Sequence, residues 1–207
     1  MRFGVALLAG YGLGAVPFAY LMVRASTGQD LRLCGNGNVG ARNAMAVAGR
    51  AVGLGALLLA ALKGAAGYGV AMLLGGDTWV LLAAAFSVVS GHWFPCWGRF
   101  RGGVGQAAST GFMIAMWPLP GLAGIAIFGL SRLLFRPFNV AYGRAALSYL
   151  AVGYWMFGSW QGVGLTLLLC ALLLAKKLVD APRQRRIIAR QAVSSVSIPP
   201  SDRHIKG

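Results

Sequence analysis

Acidic side chains are nearly missing from this sequence. Its 207 residues include four, Asp30, Asp77, Asp180 and Asp202, against 19 Lys and Arg. They are scattered along the chain, so paired-carboxylate catalysis has almost no raw material. There is no Gly-x-Ser-x-Gly elbow and no His-x-x-x-x-Asp arrangement, because Trp97 holds the fifth place after His92. Three cysteines, Cys34, Cys96 and Cys170, cannot all pair, fit no metal-ligand spacing with the histidines and read as reduced packing thiols. Charge of either sign is also short, at 11 % of residues, where a soluble domain carries about 25 %.

What fills the space is apolar. Hydrophobic residues make up 57 % of the chain and lie in long charge-free stretches, the pattern of an integral membrane protein. The apolar stretches predict an all-α fold with seven transmembrane helices over about 4–23, 51–74, 79–97, 104–118, 119–134, 143–158 and 162–178. The fourth and fifth are one apolar run divided at Trp117–Pro118–Leu119–Pro120, where two prolines favour a tight hairpin over a kinked helix. The first segment lacks a small-x-small cleavage site followed by a polar domain, and reads as a retained helix.

The formal net charge of +15 would suggest nucleic acid in a soluble protein. Here the basic residues sit between apolar segments, so they set topology and meet anionic membrane lipid. One set of loops holds Arg24, Arg32, Arg42 and Arg50, then Arg99 and Arg101, then Arg132, Arg136 and Arg144. The tail adds Lys176, Lys177, Arg183, Arg185, Arg186 and Arg190. Loops around Asp77, Pro118–Pro120 and Ser159–Gln161 carry no Lys or Arg. The positive-inside rule then puts the N-terminus out and the C-terminus in the cytoplasm, with only Arg2 against the pattern. Residues 1–180 form the membrane domain, and 181–207 a basic, then Ser- and Pro-rich cytoplasmic tail. Glycines spaced by four, Gly10 with Gly14, Gly49 with Gly53 and Gly158 with Gly162, suit close helix packing in lipid.

Two cytoplasmic segments carry the unusual polar residues. In "CGNGNVGARNAMAVAGR", residues 34–50, Gly35, Gly40 and the asparagines Asn36, Asn38 and Asn43 precede a helix-like run, with Arg42 adding charge. Asn and Gly tolerate left-handed backbone, so such a turn aims amides at one point, where an anion can rest; an ordinary surface turn is the alternative. In "GHWFPCWGRFRGGVG", residues 91–105, Arg99 and Arg101 stand before Gly102, Gly103 and Gly105 at a new helix start. Two such segments on one membrane face point to a shared phosphate pocket. His92 is either a general base or a helix-end and loop hydrogen-bonding group. Lys63 is the one charge well inside a crossing, about 18 Å of helix rise beyond Ala51; it is either functional or snorkels to an interface. His204 lies in the tail with no role evident.

In order and spacing, "YGLGAVPFAYLMVR", "GNGNVGARN", "LLLAALKG" and "GHWFPCWGRFRGGVG" resemble segments of the bacterial acyl-phosphate:glycerol-3-phosphate acyltransferases, the PlsY type. The resemblance covers about residues 4–118, and the remainder follows by helix layout. It implies seven helices in the bacterial plasma (inner) membrane, with the active site at the cytoplasmic face and no cofactor or metal. It also implies transfer of an acyl group from acyl phosphate to glycerol 3-phosphate, giving lysophosphatidic acid. Gly35, Asn38, Gly40 and Asn43 match the family's first motif, while Asn36 replaces its Ser, Arg42 its Thr and Ala46 its following Arg. Gly102, Gly103, Gly105 and Ala107 match the second, with Arg101 at its basic first position, Val104 for its second Lys and Ala108 for its Thr. Ala60 stands for the Asp three residues before Lys63, and "RQRRIIARQ" replaces a His-Arg-Glu-Asn-Ile-like tail motif.

The expected site therefore has Asn38, Asn43 and His92 as catalytic groups. Gly35, Asn36, Gly40, Arg42, Arg101, Gly102, Gly103 and Gly105 would bind substrate phosphate, with Lys63 as the intramembrane polar group. The second reading is a catalytically impaired relative that binds lipid or an anionic metabolite, or partners another membrane protein. Nothing shows the paired half-helices of a transporter.

Overall fold

The computed structural model describes residues 1–98, 101–134 and 137–196. Arg99, Arg136, Asp202 and His204, with most of the Ser- and Pro-rich end, lie outside them. Every element among the described residues is helical: α1 (Arg2–Ala15), α2 (Phe18–Thr27), α3 (Ala41–Ala48), α4 (Arg50–Leu73), α5 (Thr78–Trp93), α6 (Gln106–Met116), α7 (Pro118–Leu133), α8 (Phe138–Phe157) and α9 (Trp160–Val196). A 3-10 turn at Cys96–Gly98 follows α5. The stretches Arg2–Thr27, Arg50–Leu73 and Trp160–Gln191 are long and apolar enough to cross a bilayer, while Thr78–Trp93 and Pro118–Leu133 are shorter apolar helices.

The first apolar stretch is two helices. Pro17 has no N–H to continue the ladder of α1, and Val16 is extended at φ −67°, ψ 113°. This break sets backbone carbonyls loose inside the protein, which becomes important at the site. The Trp117 hairpin forms where the prolines predict it: α6 ends at Met116 and α7 starts at Pro118 itself. Proline is accepted there because the first turn of a helix has no partner for its N–H. Asp77 starts α5, its carboxylate accepting from the backbone N–H groups of Trp79 and Val80 at 3.0 Å each.

Small residues hold the helices together. A Cβ on Gly10 or Gly14 would overlap Ser87 or the Val88 carbonyl of α5, so α1 and α5 meet backbone to backbone. Gly64 and Gly111 bring α4 and α6 together in the same way, each against the other helix's main chain. Gly53 packs on Met45 and Gly162 on Trp117. The other members of those two pairs differ from the packing expectation. Gly49 and Gly158 have open space where a Cβ would stand and end α3 and α8 at positive φ, 89° and 58°. They are turn glycines.

Trp117 is the keystone of the hairpin end. Its indole is 8 % exposed and stacks on Tyr149 at 5.6 Å and Phe157 at 5.3 Å between centroids. Beyond position 178 the last helix continues unbroken to Val196, with Pro182 inside it. Its lower part reaches back to the Asn-rich loop, where Arg183 donates to the Gly37 carbonyl and Gln191 to that of Leu33.

Candidate active site

The Asn-rich loop joins α2 to α3 and is tied by its own side chains. Leu31 and Val39, 0 % and 3 % exposed, anchor it in an apolar cluster with Val23, Ala44 and Ala56. Asn43, in the first turn of α3, is 2 % exposed. Its Nδ2 donates to the carbonyls of Cys34 (3.0 Å) and Leu31 (3.3 Å), and its Oδ1 accepts from the Asn36 N–H (3.0 Å). Asn36 Oδ1 in turn accepts from the Asn38 N–H at 3.0 Å. At the exposed end of the loop, Arg32 clasps Asp30 and holds its carboxyl below the usual carboxylate range, chiefly through the side-chain hydrogen bond.

The glycine loop before α6 is held by backbone proximity. Gly102 N–H donates to the Trp93 carbonyl at 2.9 Å, and Trp93 Nε1 donates to the Val104 carbonyl at 2.7 Å. A Cβ on Gly102 would overlap the His92 carbonyl; one on Gly103 would overlap the Val39 carbonyl and crowd His92 Nε2. The two loops therefore touch at Gly103 and Val39. Gly105 caps α6 at φ 93°, a conformation that side-chain-bearing residues rarely adopt.

Between the loops lies a cavity of about 540 Å³. One wall is the break between α1 and α2, and the α4 face contributes Lys63. Lys63, 5 % exposed, donates from Nζ to the carbonyls of Gly14 (2.6 Å) and Val16 (2.9 Å). Those carbonyls lie at the helix break, so the ammonium caps a broken helix in place of a carboxylate partner. Asn36, Asn38, Gly40, Arg42, His92, Gly102, Gly103 and Gly105 all line the cavity. Of the remaining expected residues, Asn43 and Gly35 stand behind the wall, bracing it, and Arg101 is exposed away from it. Val104 faces the cavity and is 6 % exposed. Asn38 Oδ1 and Gln106 Nε2 are buried without a protein partner, an acceptor and a donor on residues that line the same space.

The cavity is also lined by residues that the sequence did not assign to the site: Phe138 and Asn139 at the start of α8, Lys177 on α9 and Gln106 on α6. Lys177 read as one more topological cation. A usable signal was its neighbour, because Lys176 pairs with Asp180 one turn on at 3.0 Å. Lys177, rotated about 100° further round the helix, is left facing elsewhere.

The family profile described as glycerol-3-phosphate acyltransferase matches residues 4–186. The chain belongs to this family. It is 36 % identical over 179 residues to glycerol-3-phosphate acyltransferase 5 of Dehalococcoides mccartyi, covering 81 % of this chain and 76 % of that one. The glycerol-3-phosphate acyltransferase of Myxococcus xanthus is 36 % identical over 177 residues, with 81 % and 88 % covered. The fold is similar to a crystal structure of PlsY, an integral membrane glycerol 3-phosphate acyltransferase, in its glycerol 3-phosphate form. That match has a TM-score of 0.78 at 26 % identity and covers 88 % of this chain and 92 % of the other. In this glycerol-3-phosphate acyltransferase family member, the two loops flanking the cavity are two of the four segments whose order in the sequence carries the resemblance. The integral membrane character of that structure agrees with the apolar helices.

Proposed function

We propose that the protein transfers an acyl group from acyl phosphate to the 1-hydroxyl of glycerol 3-phosphate, giving lysophosphatidic acid for phospholipid synthesis. The observation that carries the reading is the cavity itself. It gathers Asn36, Asn38, His92, Lys63 and the glycine loop of a family member around one space whose wall, among the described residues, contains no Asp or Glu. Such a wall favours anionic substrates. In the reaction the acceptor oxygen attacks the acyl carbonyl carbon, the bond from that carbon to the phosphate oxygen breaks, and inorganic phosphate leaves. The hydroxyl proton passes to His92 or to the departing phosphate. Holding the two substrates in line supplies most of the rate, with glycine-loop amides and the α6 N-terminus facing developing negative charge. Asn38 contributes the unpartnered oxygen for the acceptor's hydroxyls, Asn43 keeps Asn36 and Asn38 in register, and Arg101 adds positive charge outside.

The topology that suits this chemistry has seven crossings in the bacterial inner membrane, N-terminus out and C-terminus cytoplasmic, with α6 as a short buried crossing. Residues 1–180 form the catalytic domain, and beyond them the exposed Arg185, Arg186 and Arg190 lie against anionic lipid.

Detergent-purified protein given glycerol 3-phosphate and acyl phosphate should form lysophosphatidic acid, and acyl-CoA in a parallel arm should not replace the donor. Formation no greater than in a heat-inactivated control, with either donor, overturns the reading. His92→Gln separates the two roles of the imidazole: a base gives a loss of about a hundredfold in kcat, a loop contact only a change in stability. One observation favours the impaired-relative reading, the apolar Val104 on the cavity wall. Under that reading the same protein binds glycerol 3-phosphate and releases no product.

A further inference from the structure

Among the described residues four cationic side chains line the cavity, Arg42, Lys63, Arg132 and Lys177, and no acidic one does. Lys63 is engaged by two carbonyls. The glycine loop gives the wall Val104, while Arg101 does not line it. Two cations on the far side are fixed by consecutive residues of one helix turn. The Arg42 guanidinium lies over the Phe138 ring at 4.4 Å from its centroid, and Lys177 Nζ donates to Asn139 Oδ1 at 2.9 Å. Phe138 is itself held, stacked on Tyr142 at 6.4 Å and edge-on to Phe128 at 5.5 Å. Arg42 comes from α3 and Lys177 from α9, so the start of α8 brings together charges from distant parts of the chain. Both line the same cavity, and both are fixed by neutral partners. Like charges gathered by neutral groups leave their repulsion uncompensated until an anion arrives.

We infer that Arg42 and Lys177 are a phosphoryl clamp, with Phe138 and Asn139 as its positioning residues. This rests on the reading of the cavity as a substrate site. The clamp takes the phosphoryl group of a small phosphate ester or of an acyl phosphate. An arginine fork and a lysine point charge, set at the positive end of α8, suit its oxygens. The clamp shifts phosphate recognition away from the glycine loop, whose inward side chain is Val104. Phe138 fixes Arg42 through ring and cation contact, so the length of the Arg stem alone does not decide where its charge sits.

The test is calorimetric titration of full-length protein in detergent with glycerol 3-phosphate and with inorganic phosphate, paired with steady-state kinetics. Arg42→Gln and Lys177→Gln should each raise Kd about tenfold or more, the loss expected of one charge-assisted bond. Phe138→Leu should reproduce the Arg42→Gln effect, Phe138→Tyr should retain wild-type binding, and Phe138→Leu added to Arg42→Gln should cost no more than either alone. Arg144→Gln, an exposed cation further along α8, should change nothing. A rise in KM for glycerol 3-phosphate alone assigns the clamp to the acceptor; a rise for acyl phosphate alone assigns it to the donor. A donor clamp lowers kcat as well, because the departing phosphate gains negative charge as its bond to the acyl carbon breaks. Unchanged Kd in both cation variants, or wild-type protein that binds neither probe, overturns the clamp. Binding that is lost in the variants while the wild type makes no product leaves the clamp standing and removes the transferase reading. Product formation with unchanged KM in both variants does the reverse.

Discussion

The two loops that face each other across the cavity are built by opposite means. The Asn-rich loop is held by side chains: one buried carboxamide, Asn43, bonds two carbonyls and one N–H of the loop it supports. The glycine loop is held by the lack of side chains, since Gly102 and Gly103 sit against main-chain carbonyls of α5 and of the other loop. A carboxamide can be lost with the backbone path still sterically open. A glycine replaced by anything larger closes the path outright. The first loop should thus fail by losing order and the second by being pushed out of place.

The largest effect expected on this comparison is Asn43→Leu. It strands two carbonyls and an N–H in a buried place, which costs about 2–4 kcal/mol and should lower the melting temperature of the detergent-solubilised protein and abolish phosphate binding. Gly103→Ala comes next. Its methyl must displace Val39 or His92, for about 1–3 kcal/mol of strain. Activity should drop more sharply than stability, read as the kcat/KM ratio against the thermal midpoint. If Gly103→Ala left kcat/KM unchanged, the contact between the loops would have no bearing on catalysis. Trp93→Phe removes only the bond from Nε1 to the Val104 carbonyl, about 1 kcal/mol, and should loosen the glycine loop while sparing the other; hydrogen exchange at residues 102–106 is the readout.

The smallest effect belongs to the exposed end of the Asn-rich loop. Asp30 is held below its usual range by Arg32, so its folded-state proton affinity is lower than in the unfolded chain. Its contribution is present above the ordinary carboxylate pKa and disappears as pH falls through the depressed one. The pair is a quarter or less exposed, with side-chain values of 17 % and 25 %. For such a partly solvated pair Asp30→Asn should cost at most about 1 kcal/mol at neutral pH and nothing in strong acid. An equal loss at both pH values would mean that the ion pair is not what Asp30 provides.

Much of this was legible in the chain. The apolar runs located α4, α5, α6 and α7 to within a few residues because a lipid-facing helix needs an uninterrupted apolar length, and the Trp117–Pro120 division fell where two prolines required it; the run 4–23 instead folded as two helices and the last helix ran on to Val196. The two polar segments were recognisable because their Gly and Asn content is so unlike the runs around them. Asn43 and Lys177 show what was not legible. A carboxamide at the end of a promising motif looks the same whether it faces a ligand or ties a loop, and only the fold decides which atoms lie within bonding distance. Lys177 sits in a dipeptide of lysines whose two members have different partners, an acid on its own helix for Lys176 and an asparagine on α8 for Lys177.

Lys63 divides the two kinds of knowledge within a single residue. The sequence by itself determined that a lone charge would lie inside an apolar run; the same sequence read 4–23 as one helix, and the break at Val16–Pro17 came only with the fold. That these two irregularities answer each other was decided only by the tertiary structure. Packing α4 against the break at Val16–Pro17 puts the ammonium on the carbonyls of Gly14 and Val16. No pattern of spacing across 47 residues encodes it, because a hydrogen bond depends on ångströms in space, and sequence separation carries no such measure.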